Sequence, residues 1–186
     1  MEEYLDILDK TGKPLGESYL KSVVHQKGYY HNTVHIWFYT KEGQILLAQR
    51  SFKKTICPGM WDVSVAGHVD AGETLEAAAV REIREEIGLK IHSEDLEKIG
   101  VFECFEEYSF GISDNEFHHT YLSELKSSLE NLTPDPGEVE AIKLVSVDTF
   151  LDKLEESEKN DHFVPSNKPY YLTVLSYIKT KFADKK

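Results

Sequence analysis

Residues 74–87 constrain the fold more than any other stretch of this chain. They read Thr-Leu-Glu-Ala-Ala-Ala-Val-Arg-Glu-Ile-Arg-Glu-Glu-Ile, with no internal Gly or Pro, a capping-type Thr74 at the start and Gly88 just behind. Alanine and long unbranched side chains lose little freedom in a helix, and a threonine start with a glycine stop marks both ends, so the pattern predicts a helix. Around it lie short β-rich runs at 4–8, 33–40, 44–50, 63–69, 98–105, 117–122 and 139–147. Lys10 to Pro14 supplies a turn that closes a small N-terminal hairpin, and Lys41-Glu42-Gly43 reads as the loop of a second one. Residues 113–115 read as a polar loop, and further helices are expected at 18–26, 148–157 and 168–182, with Pro169 tolerated in a first turn. Strands outnumber helices, but helices are interspersed among them.

A chain of 186 residues closes one sizeable core, so residues 1–186 are expected to form one domain. Asp and Glu number 33 against 21 Lys and Arg, a formal charge of -12, which repels nucleic acid polymers and anionic lipid. A small phosphorylated substrate stays admissible, because a bound divalent cation and a few local cations reverse the field inside a pocket. Met1 leads into Glu2 and Glu3 with no basic start or long apolar run, so a cytoplasmic protein with no membrane span is expected. Cys57 and Cys104 fit no zinc spacing and no disulfide framework, which suits a reducing compartment, and both read as small packing residues. Oligomeric state is not written in such features; a homodimer is one option.

At about 100° per residue, Glu82, Glu85 and Glu86 crowd one edge of the helix, beside an apolar stripe of Leu75, Ala79, Ile83 and Ile87. Like charges at these spacings destabilise a helix, so a compensating hard cation such as Mg²⁺ is one reading and a solvated acidic face is the other.

From Gly67 through Glu73 and Arg81-Glu82-Ile83 to Glu85-Glu86, Gly88 and Leu89, the chain resembles the Nudix box, G-x5-E-x7-R-E-(aliphatic)-x-E-E-x-G-(aliphatic), at every fixed position. The resemblance implies an α/β/α sandwich around a mixed β-sheet, here with an N-terminal β-hairpin extension. It further implies a Mg²⁺- or Mn²⁺-dependent enzyme that cleaves a small-molecule diphosphate. Carried over by position, Glu82, Glu85 and Glu86 become metal ligands and Arg81 orients a carboxylate of the cluster. Glu73 touches metal or fixes the loop, and Gly67 allows close backbone geometry. Arg50, Lys53, Lys54 and His68 are candidate phosphate or substrate contacts. Glu85, Glu86 and a loop residue, Glu116, remain open as the general base.

Outside the box the chain resembles the branch that contains type I isopentenyl diphosphate isomerases and their hydrolase relatives. The features are Leu5-Asp6-Ile7-Leu8 with Gly12, His25, His31, Pro58-Gly59-Met60-Trp61, Ser64 to His68 and Asp114-Asn115-Glu116. In those isomerases a cysteine precedes the Gly-His pair and moves a proton; here that position is Ala66, which has no titratable group. The fully acidic box also favours hydrolysis of a nucleoside diphosphate derivative or similar compound. An isomerase-like enzyme and a non-catalytic nucleotide-binding module are the alternatives. The same resemblance implies that His25, His31, His68, Asp114 and Glu116 form a second metal site, against a reading in which these residues serve separate structural ends. Trp37, Trp61, Phe52 and Tyr30 are candidates to stack on a base or tail, or else core aromatics, while Tyr170, Tyr171 and Tyr177 read as packing residues.

Overall fold

The computed structural model describes residues 3–109, 111–160, 163–164 and 168–183. Its centre is the strand β3 (Tyr30–Tyr39), whose length lets several partners share its two edges. One edge runs parallel to β8 (Ile112–Glu124) along the whole strand, from Tyr30 against Asn115 to Tyr39 against Glu124. The other edge is taken in turn by β1 (Tyr4–Leu8), β6 (Val65–His68) and β4 (Gln44–Arg50), all antiparallel. Next, β2 (Pro14–Leu20) closes the N-terminal hairpin on β1, β7 (Glu97–Tyr108) pairs with β8, and both β5 (Trp61–Asp62) and β9 (Val139–Ser146) pair with β4. The sheet is therefore mixed, with the hairpin as an extension at one end.

Side chains alternate across a strand, and β3 divides its residues between two cores accordingly. Val34, Ile36 and Phe38 pack under α2 (Leu75–Ile87) with Ala78, Ala79, Ile83 and Ile87. Trp37 packs with residues of α3 (Val147–Asn160) and α4 (Lys168–Ala183), among them Phe150, Tyr170, Tyr171 and Val174. Helices thus cover both faces, the expected α/β/α sandwich. No helix among the described residues is long and apolar enough to cross a membrane.

Three local expectations are corrected. Residues 18–20 end β2, paired to Asp6 and Tyr4, and the helix begins only at α1 (Lys21–Lys27), because a sheet partner outbids a weak helical preference. Residues 113–115 are strand, not loop: β7 pairs with all three and β3 joins on the other side at Asn115, and the turn falls instead at Gly111, whose φ of 82° suits glycine. The run 63–69 is strand only at β6, residues 65–68, and Val63 and Ser64 lie between β5 and β6. Between them the buried Ser64 hydroxyl donates to the Leu46 carbonyl at 2.6 Å and accepts the Phe38 amide at 2.8 Å, bridging strands where ladder bonds lapse.

Both ends of α2 follow the sequence signals. Thr74 Oγ1 accepts the Ala77 amide at 3.2 Å, and Gly88 takes the left-handed conformation at φ 69°. Thr74→Ala is expected to lower stability by about 1 kcal/mol, the usual worth of an N-cap. Urea denaturation checks this as a lower midpoint at unchanged slope.

Candidate active site

The loop ahead of α2 and the first turns of that helix are tied together by Arg81. Its guanidinium donates to both Glu73 oxygens at 3.1 and 2.9 Å, to Glu82 Oε1 at 2.8 Å, to Glu85 Oε2 at 3.1 Å and to the His68 carbonyl at 2.9 Å. Glu73 also accepts the Asp70 amide at 3.3 Å, so its carboxylate fixes the loop. Burial works against the charge on Arg81, and Glu73 and Glu82 more than offset it. Gly67 is required by crowding: a Cβ there would lie 2.0 Å from the Glu82 carboxyl carbon.

The three helix glutamates have different surroundings. Glu85 is largely exposed on the Arg81 side. Glu82 is mostly buried beneath Gly67, and burial raises its pKa despite Arg81. Glu86 is only 7% exposed and accepts the Ala66 amide of β6. Burial, then the charge of Glu82, pushes Glu86 up to about 8, with Lys54 pulling the other way. Glu82 and Glu85 both turn to the same Arg81 nitrogen, Nη1.

A small cavity beside Glu86 is lined by Arg50, Lys54, Asp62, Ala66 and Glu138. Arg50 is committed to the Ile56 carbonyl at 3.0 Å and to Asp62 at 3.4 Å, so it holds the 51–60 loop in place. Lys54 pairs with Glu138. Lys53 and Phe52 are exposed, and Phe52 stands over Gly59. Trp61 carries Lys143 Nζ 3.3 Å above its ring. Trp37 is buried in the core, and its Nε1 donates to Tyr170 Oη, so it is no stacking platform. Tyr30 packs on Phe105 and Phe117, Tyr170 and Tyr171 are core, and Tyr177 is exposed.

The other face of the sheet holds a second polar group. Along β6, Gly67 faces α2 and His68 faces the opposite side, one residue apart. There the ligand atoms of His25, His31, His68 and Glu116 all lie within 4.8 Å of one another. His25 Nε2 is 3.2 Å from His68 Nε2, and its Nδ1 is 2.7 Å from Asp114 Oδ1. His31 Nδ1 faces the Tyr29 carbonyl at 2.9 Å, while its buried Nε2 has no hydrogen-bond partner and points at Glu116 from 3.5 Å. Burial opposes charge on both, yet their mutual attraction raises His31 and holds Glu116 well below the carboxylate range; His68 is lowered by burial. His31 Nε2 and Glu116 thus favour each other's charge, while burial disfavours charge on the neighbouring His68.

Beneath this group runs a polar ladder that sequence reasoning missed. His118 Nδ1 is 2.7 Å from Thr33 Oγ1 and 3.4 Å from Glu116; the His35 ring stacks on His118 at 3.9 Å and bonds Tyr170 Oη at 2.9 Å. Burial drives His35 down to about 4 and His118 to about 3, so both are neutral. The signal was present: His31, Thr33, His35 and Glu116, His118, Thr120 are polar at strand spacing inside otherwise apolar runs. Cys104 lies opposite Glu116 across β7 and β8, with its thiol pushed up to about 12 by burial and nearby carboxylates; Cys57 and Cys104 are both free.

Residues 29–166 match the NUDIX domain model. The chain is 39% identical over 169 residues to Nudix hydrolase 3 of Arabidopsis thaliana, a match covering 88% of this chain and 22% of that protein. It therefore spans less than a quarter of that relative. It is 34% identical over 201 residues to an uncharacterized Nudix hydrolase of Clostridium acetobutylicum, covering 94% of this chain and 96% of the relative. The fold is similar to the crystal structure of DR0079 from Deinococcus radiodurans, with a TM-score of 0.68 at 19% identity, covering 97% of this chain and 99% of that one.

The raised pKa of Glu86 has a signed consequence for the metal-free protein. Between about 4.5, where an unfolded glutamate loses its proton, and about 8, the folded state binds more protons than the unfolded one. Stability is therefore expected to fall as pH rises through that window in the presence of a chelator. Glu86→Gln is expected to flatten the fall, which thermal unfolding across pH 5 to 8, roughly that window, measures directly.

Proposed function

This chain belongs to the Nudix family, and from that premise we propose that it is a Mg²⁺- or Mn²⁺-dependent pyrophosphohydrolase. Its substrate is a small organic diphosphate such as a nucleoside diphosphate derivative, residues 1–186 act as one catalytic unit, and its two unpaired thiols suit work in the cytoplasm. The observation that carries the reading is the buried Glu86, held beside Glu82 under a glycine that leaves no room for a Cβ. Buried carboxylates of this kind call for a partner, and an all-oxygen donor set fits Mg²⁺ or Mn²⁺.

Glu82 and Glu86 would hold the cation, and Glu85 would join them by turning from Arg81. A cation at that position supplies neutralisation of charge growing on the diphosphate and acidification of water. The protein's own residues do the rest. Arg81 keeps the carboxylates and the loop carbonyl of His68 in register, Lys54 offers a phosphate its charge from the cavity wall, and Arg50 fixes the loop that carries Lys54.

A second cation centre at His25, His31, His68 and Glu116 is part of this proposal, supported by their ligand atoms lying within 4.8 Å of one another and by a nitrogen-rich donor set suited to zinc or manganese. Asp114 would hold the His25 ring from behind. An isomerase reading keeps the same centre, but Ala66 leaves it without the acid that proton shuttling needs.

Two measurements test these readings. Cleavage of the diphosphate linkage, read as inorganic phosphate or as phosphomonoester products, should be found with Mg²⁺ on at least one of nucleoside diphosphates, dinucleoside polyphosphates, nucleotide sugars, coenzyme A and isoprenyl diphosphates. Glu86→Gln should lower that turnover at least about a hundredfold; double-bond migration without phosphate release would instead support the isomerase. For the second centre, His31→Ala should abolish one equivalent of tightly bound Zn²⁺ or Mn²⁺ in equilibrium dialysis while Glu86→Gln leaves that equivalent in place.

A further inference from the structure

The segment at 133–138 enters the site through its backbone. Thr133 and Asp135 donate to the Ile87 and Glu86 carbonyls at the end of α2, each at 2.9 Å, and the Glu138 carbonyl accepts the Ser51 amide at 2.9 Å. Ser51 Oγ adds a bond to the Pro136 carbonyl at 3.0 Å. Glu138 is thereby fixed at the mouth of the cavity that Glu86, Arg50 and Lys54 also line.

The cations of that cavity differ in how firmly they are held. Arg50 is bound to a loop carbonyl and to the mostly buried Asp62. Lys54 is held by a single ion pair, to Glu138, whose side chain is 44% exposed; burial and the like charge of Arg50 disfavour its own charge, against the attraction of Glu86. An ion pair with a partly exposed partner contributes little, whereas a lysine meeting a phosphate gains a charge-assisted bond to a doubly or triply charged group. A diphosphate arriving at the mouth of the cavity, where Lys54 and Glu138 are partly exposed, therefore takes Lys54 from Glu138.

We propose that Lys54 and Glu138 form an ion pair that the diphosphate exchanges, and that Glu138, once released, is the general base of the reaction. This rests on the hydrolase reading above. In the step, the water oxygen bonds to phosphorus, the bridging P–O bond breaks with its electron pair going to the departing phosphate, and the water proton passes to the Glu138 carboxylate. The pinned backbone of 133–138 holds the freed carboxylate at the mouth of the cavity that Glu86 also lines. The attacking water thus meets a competent base only after phosphate has arrived.

The test uses the full chain, Mg²⁺ and the diphosphate panel named above. Glu138→Gln is expected to lower kcat at least about a hundredfold with KM unchanged or lower, since Lys54 is already free. Formate is expected to restore turnover to Glu138→Ala, which a purely structural latch would not allow; unfolding temperatures check that both variants fold. A Glu138→Gln enzyme with near-normal kcat, or one impaired only through KM, overturns the inference and leaves the hydrolase reading standing if Glu86→Gln is inactive. A wild-type chain that cleaves the diphosphate linkage of no member of the panel overturns both.

Discussion

The site depends on one guanidinium. Arg81 is the point where the β6 carbonyl of His68, the loop glutamate Glu73 and the helix glutamates Glu82 and Glu85 converge. A planar fork with five donors can serve several acceptors at fixed angles, which a lysine cannot. Because it is screened from water on one side, each bond is stronger than at an open surface, and removing the fork would leave carboxylates to repel one another. The packing of α2 on the sheet and the arrangement of its acidic edge are therefore one problem with one solution.

A second constraint is the alternation of β6. Four residues of strand hand Val65 to the core under α2, Gly67 to Glu82, and His68 to the group on the α4 side. Two charged clusters of different chemistry, one all carboxylate and one mostly imidazole, are kept apart by the thickness of a sheet. The Thr33, His118, His35 and Tyr170 ladder carries the second cluster down onto α4, which ends in the aromatic core around Trp37. Buried neutral histidines there are tolerated because their ring nitrogens find partners.

Local signals were legible where neighbours in sequence decide the outcome. Helix α2 was readable end to end, since Thr74 and Gly88 act within one turn of themselves. The ranges of β1, β4 and α4 were nearly right for similar reasons. Residues 113–115 were not, because Ser, Asp and Asn prefer turns in isolation and only pairing with β7, and with β3 at Asn115, overrides that preference. Ser64 was equally opaque: its hydroxyl serves Leu46 and Phe38, both remote in the chain. Of the site, the helix glutamates could be named from spacing and Arg81 from the resemblance to the Nudix box, while the different surroundings of Glu82, Glu85 and Glu86 could not, because burial is a property of the packed helix.

What the amino-acid order determined by itself is the helix with its acidic edge, the strand-rich surroundings and the identity of the residues able to bind a cation. These follow from propensities and periodicities that act over a few residues. Only the tertiary structure decided that Glu86 is buried, that His25, His31, His68 and Glu116 meet, and that Glu138 faces Lys54. Each of those joins groups from separate segments, and their distances are set by sheet register and helix docking, which no local pattern encodes.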